Sequence, residues 1–217
     1  FAPVIARVKK PTLWNQIDAI VALEPETMLN YGIPPLRRME ISMEHSHRLG
    51  VSVRNRIHVK CDKESIYLTG QDVSSDIRNL NCMLMAYDPD VILTSYGDQT
   101  IMPTLFSWST RTKIPLALDR DLVPGLQRSI VRKGLSVNTY GAWIFRAASY
   151  PLYGRLHIDS GNSFVFSNSG FAGVIELSRL SRTPVQRVAR TSTGAALTNM
   201  EVHNAMDRQY LVPWQKS

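Results

Sequence analysis

Cysteine is nearly absent from this chain: Cys61 and Cys82 are the only two in 217 residues. They stand far from any Cys-x-x-Cys spacing, at an expected strand end and inside an expected helix. We therefore expect reduced thiols in a cytoplasmic protein rather than a disulfide framework. No apolar run reaches the roughly 18 residues of a membrane-spanning helix, so no membrane partner is expected. A signal-peptide pattern is missing, and the start at Phe1 suggests a piece of a longer protein. Internal repeats and low-complexity segments are also missing. There is no Gly-x-Ser-x-Gly elbow and no Gly-x-x-x-x-Gly-Lys phosphate loop. Acidic side chains are in deficit, 18 Asp and Glu against 25 Lys and Arg, which leaves a net charge of +7. Such a balance favours an anionic partner, nucleic acid above all. A hydrophobic content of 44% is that of a globular protein. The length suits one α/β domain with appendages, or one domain plus part of a neighbour.

Residues 1–35 read as a lead-in: a strand over Pro3–Val8, then a helix from Thr12 with Leu13, Ile17, Ile20 and Val21 on one face. Pro34-Pro35 closes it. Three strand-like runs follow, Arg38–His45, Val51–Val59 and Ser65–Thr69. The second alternates, Val51, Val53, Asn55, Ile57 and Val59 against Ser52, Arg54, Arg56 and His58. Asp72 or Ser74 suits the N-cap of a helix carrying Val73, Ile77, Leu80 and Leu84. Asp90–Thr94 is apolar enough for a buried strand. Asp98 then stands at a helix start, its bland role being a cap, with Ile101, Leu105 and Trp108 on one face. This places Asp98 at the carboxyl edge of a sheet, where α/β proteins tend to carry their chemistry. Beyond it, Ser136–Arg146 and Arg155–Asp159 look like strands, a helix starts at Gly170, and a last helix spans about 195–208. Three antiparallel-type strands, a helix, a strand and a helix form the order of a ribonuclease H-like domain. We expect that domain over 36–217, with a basic insertion at about 110–150, after an N-terminal remnant over 1–35.

The stretch Asp88-Pro-Asp-Val-Ile-Leu-Thr-Ser-Tyr-Gly-Asp-Gln-Thr-Ile-Met-Pro-Thr-Leu-Phe106 resembles the second exonuclease motif of family B DNA polymerases. There an Asn-x-x-x-Phe-Asp run carries a metal-binding Asp. Here Tyr96 takes the Asn position, Thr100 the Phe position and Ile101 the Asp position. Tyr96-Gly-Asp98 is also similar to the Tyr-Gly-Asp core of the polymerase palm, but Gln99-Thr100 follows instead of Thr-Asp. Pro35-Leu-Arg-Arg-Met-Glu-Ile-Ser-Met-Glu44 resembles the strand of the first motif, Asp-x-Glu, with Ser42 for Asp and Glu44 retained. Tyr153-Gly-Arg-Leu-His-Ile-Asp159 resembles a later strand of that domain. Glu176–Ser181, Arg190–Gly194 and Leu211–Lys216 are similar to its end before the palm. The third motif, Tyr-x-x-x-Asp, has no counterpart. Taken in order, these segments resemble the archaeal and bacterial branch whose exonuclease site has degenerated.

What the resemblance implies is a nuclease site without its metals. Two-metal phosphodiester hydrolysis needs several carboxylates to hold two cations about 4 Å apart. With Ser42 and Ile101 at two such positions, no intact catalytic residue and no cofactor are expected. Glu44, Asp98 and Asp159 are the weak metal candidates, and Mg²⁺ enters only if they form a relocated, active site. The parent protein would be a DNA-directed DNA polymerase or a relative of one. The expected partners are DNA, single-stranded or primer-template, and the remainder of the polymerase chain. Candidate phosphate contacts are Arg111, Lys113, Arg128, Arg132, Lys133, Arg187 and Arg190, with Tyr96 or Trp108 as stacking platforms. A module that only braces a palm is the third reading. Asp62-Lys-Glu64 reads as a solvated turn, His45-Ser-His47 as a strand-end pair without a third ligand, and Asp119-Arg-Asp121 as a loop ion pair. His58, His157 and His203 have no evident partner.

Overall fold

The computed structural model describes residues 4–9, 16–23, 28, 31–33, 35–44, 56–120, 134–139, 142–146 and 148–211. It divides into two compact units, Phe1–Pro35 and Leu36–Ser217. The first contains an antiparallel pair, β1 (Val4–Lys9) and β2 (Gln16–Ala22), with a bulge between Arg7 and Val8. A helix was expected from Thr12, yet Ile17, Ile20 and Val21 lie in β2. β-branched side chains favour a pleated strand, and cross-strand partners such as Ile5 opposite Val21 outweigh the helical spacing. Thr12 and Leu13 lie outside the described residues.

In the second unit a five-stranded sheet runs β5-β4-β3-β6-β9. Its strands are β3 (Arg38–Glu44), β4 (Arg56–Cys61), β5 (Glu64–Leu68), β6 (Val91–Thr94) and β9 (Leu156–Asp159). β3, β4 and β5 pair antiparallel, whereas β6 lies parallel to both β3 and β9. This mixed sheet flanked by helices is the ribonuclease H-like α/β arrangement that the element order implied. Ile57 and Val59 are buried, as their alternation required, while Val51, Val53 and Asn55 lie outside the described residues. Val91 and Ile92 are both buried, as befits a central parallel strand covered on two faces.

Helix α1 (Val73–Tyr87) is capped by Asp72, whose carboxylate accepts the Ser75 N–H at 3.1 Å. Leu80 and Leu84 of α1 pack with Ile101, Met102 and Leu105 over Met39 and Ile41 of β3. Asp98 does not cap this second helix as expected. A π-helical turn, Gly97–Ile101, precedes α2 (Met102–Thr112). On the other side of β3, Arg38 lies over the Phe171 ring, 4.9 Å from its centroid. Phe171 belongs to α3 (Phe164–Leu180), which starts six residues before the expected Gly170 but breaks there, at φ 62. Ser136–Arg146 is a hairpin rather than one strand: β7 (Leu135–Thr139) pairs with β8 (Ala142–Arg146). The short α4 (Val185–Val188) and α5 (Thr193–Asp207) follow.

Asp88-Pro89-Asp90 acts as an arginine clamp below the sheet. Asp88 accepts from Arg37 at 2.9 Å, Arg120 at 2.7 Å and Arg155 at 3.0 Å. Asp90 accepts from Arg120 at 2.7 Å and from the Arg37 N–H at 2.8 Å. Hydrogen bonding to Arg120, then to Arg155 and Arg37, holds the Asp88 carboxyl well below its ordinary range. Arg155, 5% exposed, also donates to the carbonyls of Pro89, Ala117 and Leu118. Gly154 before it has φ +71, and a Cβ there would stand 2.7 Å from Arg120 Cβ. Asp119-Arg120 is therefore not a solvated loop pair: Arg120 joins the clamp and Asp119 accepts the Tyr153 N–H at 2.7 Å. Asp121 lies outside the described residues.

Removing Arg155 leaves Asp88 short of one cation and takes a donor from three carbonyls, those of Pro89, Ala117 and Leu118. Arg155→Met should lower the free energy of urea unfolding by about 3 kcal/mol. A change below about 0.5 kcal/mol, the usual range for surface substitutions, would show that the clamp is ornamental.

Candidate functional site

The parallel ladder aligns the carboxyl ends of three strands: Ile41 lies opposite Thr94, and Thr94 opposite Asp159. The Ser95 N–H donates to the Ile41 carbonyl at 3.2 Å, which brings the turn after β6 beside Ser42. Gly97 permits that turn, because a Cβ there would overlap Thr94 Oγ1 and come within 3.0 Å of His157 Nε2. The next residue, Asp98, is 1% exposed.

A buried carboxylate needs cations and donors, and Asp98 has both. Oδ2 accepts from Arg190 Nε at 2.7 Å and from the Asn162 amide at 2.8 Å. Oδ1 accepts from Arg190 Nη2 at 3.1 Å and from the Tyr150 N–H at 3.0 Å. Four donors fill the roughly four lone-pair sites of a carboxylate. Burial opposes ionisation of Asp98, but Arg190, His157 and Asn162 outweigh it and hold the carboxyl below its ordinary range. Arg190 also donates to the His157 and Gln186 carbonyls, at 2.9 and 3.2 Å. His157 is fully buried. Its Nδ1 lies 2.7 Å from the Tyr150 carbonyl and 2.9 Å from Arg190 Nη2, and its Nε2 lies 2.9 Å from the Thr94 hydroxyl. Gln186 joins the network, accepting the N–H groups of Leu152 at 2.8 Å and His157 at 2.9 Å.

Asp159 ends β9 and braces both turns. It accepts the Asp98 N–H at 2.9 Å and the Gly161 N–H at 3.1 Å. Burial pushes its carboxyl up, and the Asp98 charge adds to that. Ser42 is half-buried on β3 opposite His58, and Glu44 is exposed at the strand end opposite Arg56. Ile101 is fully buried in the apolar cluster with Met39, Ile41 and Leu105. Among the described residues no three His, Cys, Asp or Glu side chains form a group able to hold a metal ion. The donor set does not fit a divalent pair. Asp98 is saturated by Arg190, the Ser42 position offers a hydroxyl, and the Ile101 position offers hydrocarbon.

The expected phosphate contacts divide. Arg111 and Lys113 are exposed at the end of α2, and Arg187 is exposed on α4. Arg190 differs from these: its side chain is 9% exposed and its guanidinium is paired with Asp98. Arg128, Arg132 and Lys133 lie outside the described residues. His157, Asn162 and Gln186 were missed as site residues. His157 stood at an apolar position of its strand, and nothing near Gln186 in sequence hints at partners 29 and 34 residues away. His58 stacks on Tyr67 with ring centroids 4.6 Å apart.

No family model matches the sequence, and no curated protein matches it. Among solved structures the chain is similar to a family B DNA polymerase from the hyperthermophilic archaeon Pyrobaculum calidifontis. The TM-score is 0.64 and the identity 17%, over 99% of this chain and 35% of that one. The likeness shows a shared fold, and the chain spans 35% of the length of that polymerase.

Asp98→Asn leaves Arg190 buried beside a neutral amide and should destabilise the fold by about 3 kcal/mol at pH 7. Because the folded carboxyl titrates below its unfolded value, its contribution is complete above the unfolded pKa. That contribution fades as pH falls below about 4 and through the depressed folded value. The gap between wild type and variant, measured by urea unfolding, should therefore close in acid. A gap independent of pH down to about 2 would mean that Asp98 is not the charged partner.

Proposed function

We propose that this chain is the exonuclease-like domain of a family B DNA polymerase-like protein, that its nuclease site is inactive, and that it binds DNA. Its partners would be single-stranded or primer-template DNA and the rest of a polymerase chain in the cytoplasm. The observation that carries the reading is the state of the carboxyl edge. The scaffold is the one on which such sites are built, but Asp98 is saturated by Arg190 and Ile101 is sealed in the core. Without carboxylates to hold two cations, neither the attacking water nor the leaving oxygen is stabilised, and each of those effects is worth several kcal/mol. Glu44, exposed at the end of β3, is left without the first- and second-motif carboxylates as partners.

Binding is supported by the net charge of +7 and by the exposed Arg111, Lys113 and Arg187. Arg128, Arg132 and Lys133 add basic charge in the same stretch of sequence. Phosphate contacts of this kind give weak, nonspecific affinity with a steep salt dependence.

Two assays test the two halves. The purified chain should leave single- and double-stranded DNA intact with Mg²⁺ or Mn²⁺. Digestion by pure protein that disappears in Glu44→Ala would overturn the inactive reading and favour relocated ligands. In binding titrations, each phosphate neutralised contributes about −0.7 to −0.9 to the slope of log K against log salt. Neutralising Arg128, Arg132 and Lys133 together should flatten the slope by about two units. An unchanged slope and affinity would favour a module that only braces its neighbour.

A further inference from the structure

We draw no further inference here: the strongest candidate, the apolar surface of the antiparallel pair β1 and β2, where Val4, Ile5, Ile17, Ile20 and Val21 are all exposed, carries nothing because nothing in the structure shows what covers it.

Discussion

The carboxyl edge of the sheet depends on one buried ion pair, Asp98 with Arg190, whose partners are 92 residues apart in sequence. A carboxylate that is 1% exposed would be untenable alone, and so would a guanidinium beside it. Together they are satisfied, and the remaining donors of Arg190 reach the backbone of β9 and α4. The pair therefore does more than neutralise charge. It ties the turn after β6 to the helical segment that follows α3, and His157, Asn162, Gln186 and Asp159 close the gaps around it.

That arrangement bears on chemistry as much as on folding. A two-metal nuclease places several carboxylates at such an edge with their lone pairs open toward cations. Here the lone pairs of Asp98 are spent on internal donors, of which Arg190 also brings positive charge. Ser42 and Ile101 remove two further ligand positions that the family resemblance assigns to carboxylates. What remains is a buried polar network at the carboxyl edge of the sheet.

Local signals in the sequence are decisive where one element sets its own form. Ile57 and Val59 alternate, Asp72 caps, and Leu80 and Leu84 recur at helical spacing, so β4 and α1 were legible. The hairpin strand β2 was not, because Ile17, Ile20 and Val21 fit a helical face and a strand equally, and β1 decides between them. Long-range polar pairing was the main loss. Arg190 looked like a DNA contact and His157 like an unpartnered histidine, since a sequence does not show which side chains meet across 92 or 63 residues. Arg120 and Arg155 were hidden in the same way, and the Asp88-Pro-Asp90 motif turns out to be their anchor. The degenerate positions Ser42 and Ile101 were legible only through the family resemblance; the saturation of Asp98 was visible only in three dimensions.

On the proposed reading, this edge does not hold the metals of a nuclease because Arg190 already occupies the Asp98 carboxylate. Diffraction at the manganese edge, from crystals soaked in Mn²⁺ with an oligothymidylate, tests it most directly. The account predicts no anomalous peak within coordination range, about 2–2.6 Å, of Ser42, Glu44, Asp98 or Asp159, with Arg190 still paired to Asp98. A peak shared by Glu44 and Asp98, with Arg190 swung away, would contradict it.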